Sequence, residues 1–100
     1  MIIVSVTIEV EPGAIEELKG AMSAVETATR AEAGCEDYTF SVELNDPGKV
    51  RVTERWASKE ALAAHFGAAH MAEFQAAMGE NPPKSVKAHF YEAEEIDFRP

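Results

Sequence analysis

The chain has 100 residues, 46% hydrophobic and 27% charged, with few Gly and Pro, which suits one globular domain and leaves little room for a second. Its formal net charge of −9 would repel nucleic acid or an anionic membrane surface, and no local Lys/Arg cluster offsets that field. The single cysteine, Cys35, cannot close an internal disulfide, residues 1–5 carry no basic leader, and no apolar run reaches membrane-spanning length, so a reduced, soluble, cytoplasmic protein is expected.

Residues 2–10 alternate, with Ile2, Val4, Val6, Ile8 and Val10 on one side and Ile3, Ser5, Thr7 and Glu9 on the other. That period and its β-branched content predict a half-buried strand, ended by Glu11-Pro12-Gly13. Residues 14–32 place Ile15, Leu18, Met22, Val25 and Thr29 at steps of three and four, the stripe of an amphipathic helix. Gly34 stops it, where a left-handed residue costs least.

Alternation returns over 37–44, with Tyr38, Phe40, Val42 and Leu44 facing one way. Asn45-Asp46-Pro47-Gly48 is a turn signal, and residues 49–57 make the second strand of a hairpin. Residues 58–66 read as a helix with Ser58 as N-cap. Gly67 interrupts it, and a further helical stretch over 70–78 sets His70, Phe74 and Met78 on one face. Asn81-Pro82-Pro83 closes that stretch. Residues 84–93 alternate through Val86, Ala88 and Phe90 as a last strand, and the acidic residues 94–100 form an arm.

The order β-α-β-β-α-β is the ferredoxin-like arrangement of an α+β domain. It predicts a four-stranded antiparallel sheet with both helical segments on one face, and one domain over 1–100 whose core spans about 2–93. Ile3, and Phe40 or its neighbours, are expected to leave apolar surface on the other face. A second copy of the chain would cover it in an isologous homodimer.

Several polar residues stand out from this pattern. Glu54 shares a strand face with Val50, Val52 and Trp56. A carboxylate there is costly unless it is paired, hydrogen-bonded or protonated, and burial would move it toward a base poised nearer neutrality. His65 and His70 lie next to the apolar stripe of the second helical region and are expected to look toward the sheet, where an imidazole can serve as acid or base. Their five-residue spacing matches no ligand motif, so no metal is expected. Tyr38 and Trp56 bring aromatic faces to the same side. Arg30 and Glu32, at the end of the first helix, read as surface or interface ion-pair residues, and Cys35 as a small buried apolar group.

Two runs carry a family resemblance. Thr29-Arg30-Ala31-Glu32-Ala33-Gly34-Cys35-Glu36-Asp37-Tyr38 resembles the T-R-x-E-x-G-C-x-x-Y signature of the antibiotic biosynthesis monooxygenase domain. Residues 54–65, from Glu54-Arg55-Trp56 to His65, followed by His70-Met71, are similar to that family's E-x-W-x-S-x-x-A-L-x-x-H…H-M segment. The likeness spans nearly the whole chain and is nearest to the small quinol monooxygenases.

The resemblance implies a homodimeric α/β barrel with a pocket between each sheet and its helices. It also implies oxygenases that use no flavin, haem or metal, alongside sugar-phosphate isomerases, haem-degrading enzymes and members of no known activity. Two departures narrow the choice. The Asn and axial His of haem-degrading relatives align with Val6 and Gln75, and the Asn of polyketide-oxidising relatives aligns with Val52.

The resulting expectation is a cofactor-independent monooxygenase acting on a small quinol, phenol or polyketide-like aromatic with O2. His65 or His70 would be the base, with Glu54 orienting it or sharing the proton. Trp56, Phe66, Phe74 and Met78 would form dry walls, and Tyr38 would hydrogen-bond a substrate oxygen. The alternatives are an isomerase of a small sugar or carbonyl compound using the same His and Glu groups, and a non-catalytic dimeric binding protein.

Overall fold

Seven elements follow the alternation of the sequence in the computed structural model, which describes residues 1–100. They are β1 (Ile2–Glu9), α1 (Ala14–Arg30), β2 (Cys35–Glu43), β3 (Asp46–Trp56), α2 (Lys59–Phe66), α3 (Ala69–Glu80) and β4 (Ser85–Glu92). The strands form one antiparallel sheet in the order β2-β3-β1-β4. This is the expected ferredoxin-like arrangement. No helix is long and apolar enough to cross a membrane.

The period of two fixes what each sheet face carries. Ile2, Val4, Ile8, Tyr38, Val50, Val52 and Trp56 point toward the helices and are buried with Leu18, Met22 and Val25 of α1. Register ties the strands at matched positions, with Val4 opposite Glu54 and Phe90, and Val6 opposite Val52 and Ala88. Ser58 caps α2 as its spacing implies, its Oγ accepting from the Ala61 N–H at 3.1 Å.

Three local readings change. The hairpin reverses at Leu44-Asn45, because Glu43 already pairs with Asp46. Asp46 Oδ1 accepts from the Gly48 N–H at 3.0 Å, so the Asx turn sits inside the start of β3. α1 ends at Arg30, and residues 31–34 form a separate turn that closes on Gly34 at φ +82°.

The third change concerns the sheet faces. Phe40 packs on the helix side, 5.8 Å from the Phe74 ring and 5.7 Å from Tyr38. It is not on the outer face, because it shares the parity of Tyr38. The outer face is mainly polar, carrying Ser5, Thr7, Thr39, Ser41, Arg51, Thr53 and Arg55, and Arg51 there bonds Thr7 and Glu43 at 3.0 Å each. Its apolar part is Ile3 with Tyr91 opposite it, and further exposed apolar side chains lie at Val42, Leu44 and Phe66, at Val86 and Phe90 on the inner side of β4, and at Ile96 and Phe98 of the arm.

The sheet also has two unlike edges. On β2, Phe40 N–H donates to Glu26 Oε2 at 2.8 Å, and Arg30 Nε–H donates to the Tyr38 carbonyl at 2.9 Å. Side chains of α1 thus satisfy that edge strand. β4 forms the opposite edge of the sheet and has no neighbouring strand beyond it.

Candidate active site

The chain fills one half of the helix-facing sheet surface and leaves the other hollow. α1 is 17 residues long and buries Leu18, Met22, Val25 and Thr29. α2 and α3 are short and alanine-rich, and only Leu62, His65 and Met71 on them are fully buried. Methyl groups cannot fill the space that larger side chains would, and a cavity of about 320 Å³ remains between these helices and the sheet. Its lining is hydrophobic at 13 of 17 residues and includes no Lys or Arg, so it suits an uncharged, mostly apolar ligand. The polar lining groups are Tyr38, Glu54, His65 and Gln75.

Depth and mouth differ in character. Tyr38, Glu54 and His65 are buried, whereas Phe66, Val86 and Phe90 at the same cavity are each about half exposed. Polar chemistry therefore sits at the closed end and apolar surface at the open one.

Glu54 is only 6% exposed, and Trp56 Nε1–H donates to its Oε1 at 3.0 Å. Desolvation by burial pushes its pKa above the usual carboxylate range. The indole hydrogen bond and the nearby His65 oppose that shift, and Glu32 adds to it. Burial likewise raises the Tyr38 hydroxyl, helped by the charges of Glu54 and Glu32. Both groups are thereby held toward their neutral, hydrogen-bond-donating forms.

His65 is 1% exposed and packs against Trp56 and Tyr38, with ring centroids at 4.8 and 5.3 Å. Its Nδ1 lies 2.7 Å from Glu32 Oε2, and the same oxygen lies 2.8 Å from His70 Nε2. An ionised carboxylate only accepts, so each ring nitrogen donates to it. In the neutral imidazole this hydrogen bond sets the tautomer, with the proton on Nδ1 and Nε2 as the acceptor.

The local sequence explains why Glu32 arrives there. The turn after α1 is pinned to the end of β3 by Ala57 N–H donating to the Gly34 carbonyl at 2.8 Å. A Cβ on Gly34 would lie 2.6 Å from the Ala61 Cβ, so only glycine lets this turn sit directly against α2. Ala61 precedes His65 by one helical turn, and the close approach brings Glu32 under the imidazole.

The expected site residues are therefore divided. Tyr38, Glu54, His65, Phe66, Phe74 and Met78 all line the cavity. Trp56 is completely buried behind it and supports Glu54 and His65 rather than forming a wall. His70 lies on the far side of Glu32 and borders a small separate cleft with Ala21, Ala24 and Phe74. Glu54 does not orient an imidazole; Glu32 does. Glu32 is thus not a surface ion-pair residue: its side chain is 15% exposed and it bonds two histidines. The sequence showed no period that could reveal this, since Glu32 lies in an irregular turn 33 residues from His65. The same three residues form the one cluster whose metal-ligating atoms lie close together, all within 4.8 Å.

Comparison with known proteins agrees with this architecture. The model of the family described as antibiotic biosynthesis monooxygenase matches residues 1–77. The Mycobacterium tuberculosis protein Rv0793, named as a proposed monooxygenase, is 38% identical over 69 residues, covering 69% of this chain and 67% of the relative. The solved structure of Rv0793 superposes with a TM-score of 0.84 at 27% identity, over 95% of this chain and 96% of that one. A Deinococcus radiodurans structure, named as a proposed antibiotic biosynthesis monooxygenase, reaches a TM-score of 0.90 at 27% identity, over 100% of both chains. By the match of the family model over three-quarters of its length, with the same sheet and helices, this chain belongs to the antibiotic biosynthesis monooxygenase family.

Proposed function

We propose that the protein is a monooxygenase of small electron-rich phenols or quinols, with O2 as the oxidant and His65 as the base. The observation that carries this reading is His65 set in the wall of an apolar cavity with its Nδ1 tied to Glu32, an arrangement that in the neutral ring keeps Nε2 for a substrate proton. Triplet O2 reacts slowly with closed-shell organic molecules, but a phenolate can give up one electron to it.

The steps balance without an added reductant. His65 Nε2 takes the phenolic proton, and the Glu32 carboxylate stabilises the imidazolium. The phenolate passes one electron to O2, and the resulting radical pair joins as a carbon–oxygen bond at an open ring position. The imidazolium protonates the distal oxygen to give a hydroperoxide. The ring C–H proton and that distal oxygen then leave as water, and a quinone carbonyl remains. Phenol plus O2 thus becomes quinone plus water. Glu54 and Tyr38, held toward their protonated forms, supply hydrogen bonds to the substrate oxygens, and the apolar lining limits water.

An isomerase of a phosphorylated sugar would need a cation at the cavity, and none lines it. A simple binding module would suit a solvated Glu54, but that carboxyl is buried. The test is conversion of a hydroquinone series in air and under argon. Product formation that stops without O2 supports the proposal, and equal conversion under argon overturns it.

The working unit in this proposal is a cytoplasmic homodimer, with residues 94–100 as an arm on a core of about 2–93. The exposed Val86, Phe90, Ile96 and Phe98 support self-association. Light scattering should give twice the chain mass, and a monomer would remove the dimer from the proposal.

A further inference from the structure

Glu32 is a mostly buried carboxylate with no Lys or Arg partner; its only ionic neighbours are His65 and His70. Burying a charge so sparsely compensated is costly. Both side-chain hydrogen bonds of Glu32 run through one oxygen, Oε2, and Oε1 has no side-chain partner. The three residues come from three elements, the turn after α1, α2 and α3, so their convergence is made by the tertiary fold.

From this convergence we infer that Glu32, His65 and His70 form an inhibitory binding site for a divalent first-row transition-metal ion such as Zn²⁺. Two imidazole nitrogens and a carboxylate are a donor set that Zn²⁺ accepts, with water completing a fourth position. The present N···O separations of 2.7 and 2.8 Å need to open by roughly half an ångström for ligand bonds of about 2.0–2.2 Å in a tetrahedral arrangement. Glu32 and His70 are 15% and 24% exposed, which gives the ion a way in from solvent, whereas His65 is 1% exposed.

The inhibitory part rests on the reading of His65 as the base. Coordination needs the lone pair of His65 Nδ1, so the Nδ1 proton moves to Nε2, and that of His70 moves from Nε2 to Nδ1. No proton is gained or lost overall. The nitrogen that accepted the substrate proton now carries one, and metal occupancy and base function exclude each other.

The chain itself supplies the control, because its third histidine, His89, is exposed on the far strand β4. The experiment titrates the metal-free, full-length protein with Zn²⁺ and follows the imidazole nitrogens by ¹⁵N NMR, with Co²⁺ absorption as a second probe. The expected result is saturation at about one ion per chain, with His65 Nδ1 and His70 Nε2 shifting to the metal-bound range and His89 unmoved. Co²⁺ should develop ligand-field bands that Zn²⁺ displaces and that Glu32→Gln and His70→Ala, folded by circular dichroism, both lose. Absence of binding, binding seen only at His89, or undiminished Co²⁺ bands in the Glu32→Gln/His70→Ala double variant would overturn the inference. Turnover should fall in proportion to occupancy. Binding at the three residues without loss of turnover would confirm the metal site and remove His65 as the base, while turnover that requires His65 in a protein that binds no Zn²⁺ would do the reverse.

Discussion

Two regions lie side by side on the same face of the same sheet, and the chain treats them differently. Under α1 the packing is the tighter of the two: Leu18, Met22 and Val25 are buried with Val50 and its neighbours, and polar side chains of the helix bond two backbone groups of the β2 edge. Under α2 and α3 the strand pattern is equally apolar, but the helices bring small side chains and one buried imidazole. A long helix with an apolar stripe makes a core. Two short, alanine-rich helices broken at Gly67 make a roof over a hollow, and only there does the fold place a carboxyl and an imidazole among apolar walls.

The largest test of this contrast is His65→Ala. It should lower turnover by about a hundredfold or more with little change in KM, as expected for removal of a general base. A smaller effect would mean that the hollow half binds without His65 chemistry.

Adding the same bulk to both regions sharpens the comparison. Val50→Phe, beneath α1, should overpack and destabilise the fold by about 1–3 kcal/mol. Val6→Phe adds the same atoms on the cavity side. It should leave the denaturation midpoint nearly unchanged and raise KM instead. Equal destabilisation by both would show that the cavity is closed in solution.

Glu54 gives a pH signature. Burial raises its carboxyl, so the folded state holds that proton to higher pH than the unfolded chain does. Its contribution to stability is full below the usual carboxylate range and is lost as pH rises through the raised value. Glu54→Gln, which has no proton to lose, should therefore gain stability relative to the parent as pH rises above the usual carboxylate range. Urea unfolding over that rise in pH measures the slope, and a difference independent of pH would place Glu54 in solvent. At the other extreme, Lys59 pairs with Glu92 at 2.6 Å on the open surface. Lys59→Ala should leave the unfolding midpoint within experimental scatter, because exposed pairs are screened.

The fold and half of the site were legible in the sequence for one reason, periodicity. Alternation over residues 2–10 and 49–57 set the inner face, and it exposed Glu54 as a carboxyl among apolar neighbours. Helical spacing singled out His65. Phe40 obeys the same rule, sharing the parity of Tyr38 and packing on the helix side. Glu32 escaped because an irregular turn has no period, and its partner lies 33 residues away across a contact that Gly34 makes possible. His70 escaped its proper role because Gly67 breaks the helix, so its angle relative to His65 could not be carried across the break.

The most direct test of the central claim, that the hollow half does oxygen chemistry through His65, is isotopic. A hydroquinone incubated with the protein under ¹⁸O₂ should yield a product carrying one ¹⁸O atom, with the other appearing in water, and His65→Ala should lose this activity. A product free of ¹⁸O, or one labelled equally by the wild type and by His65→Ala, would contradict it.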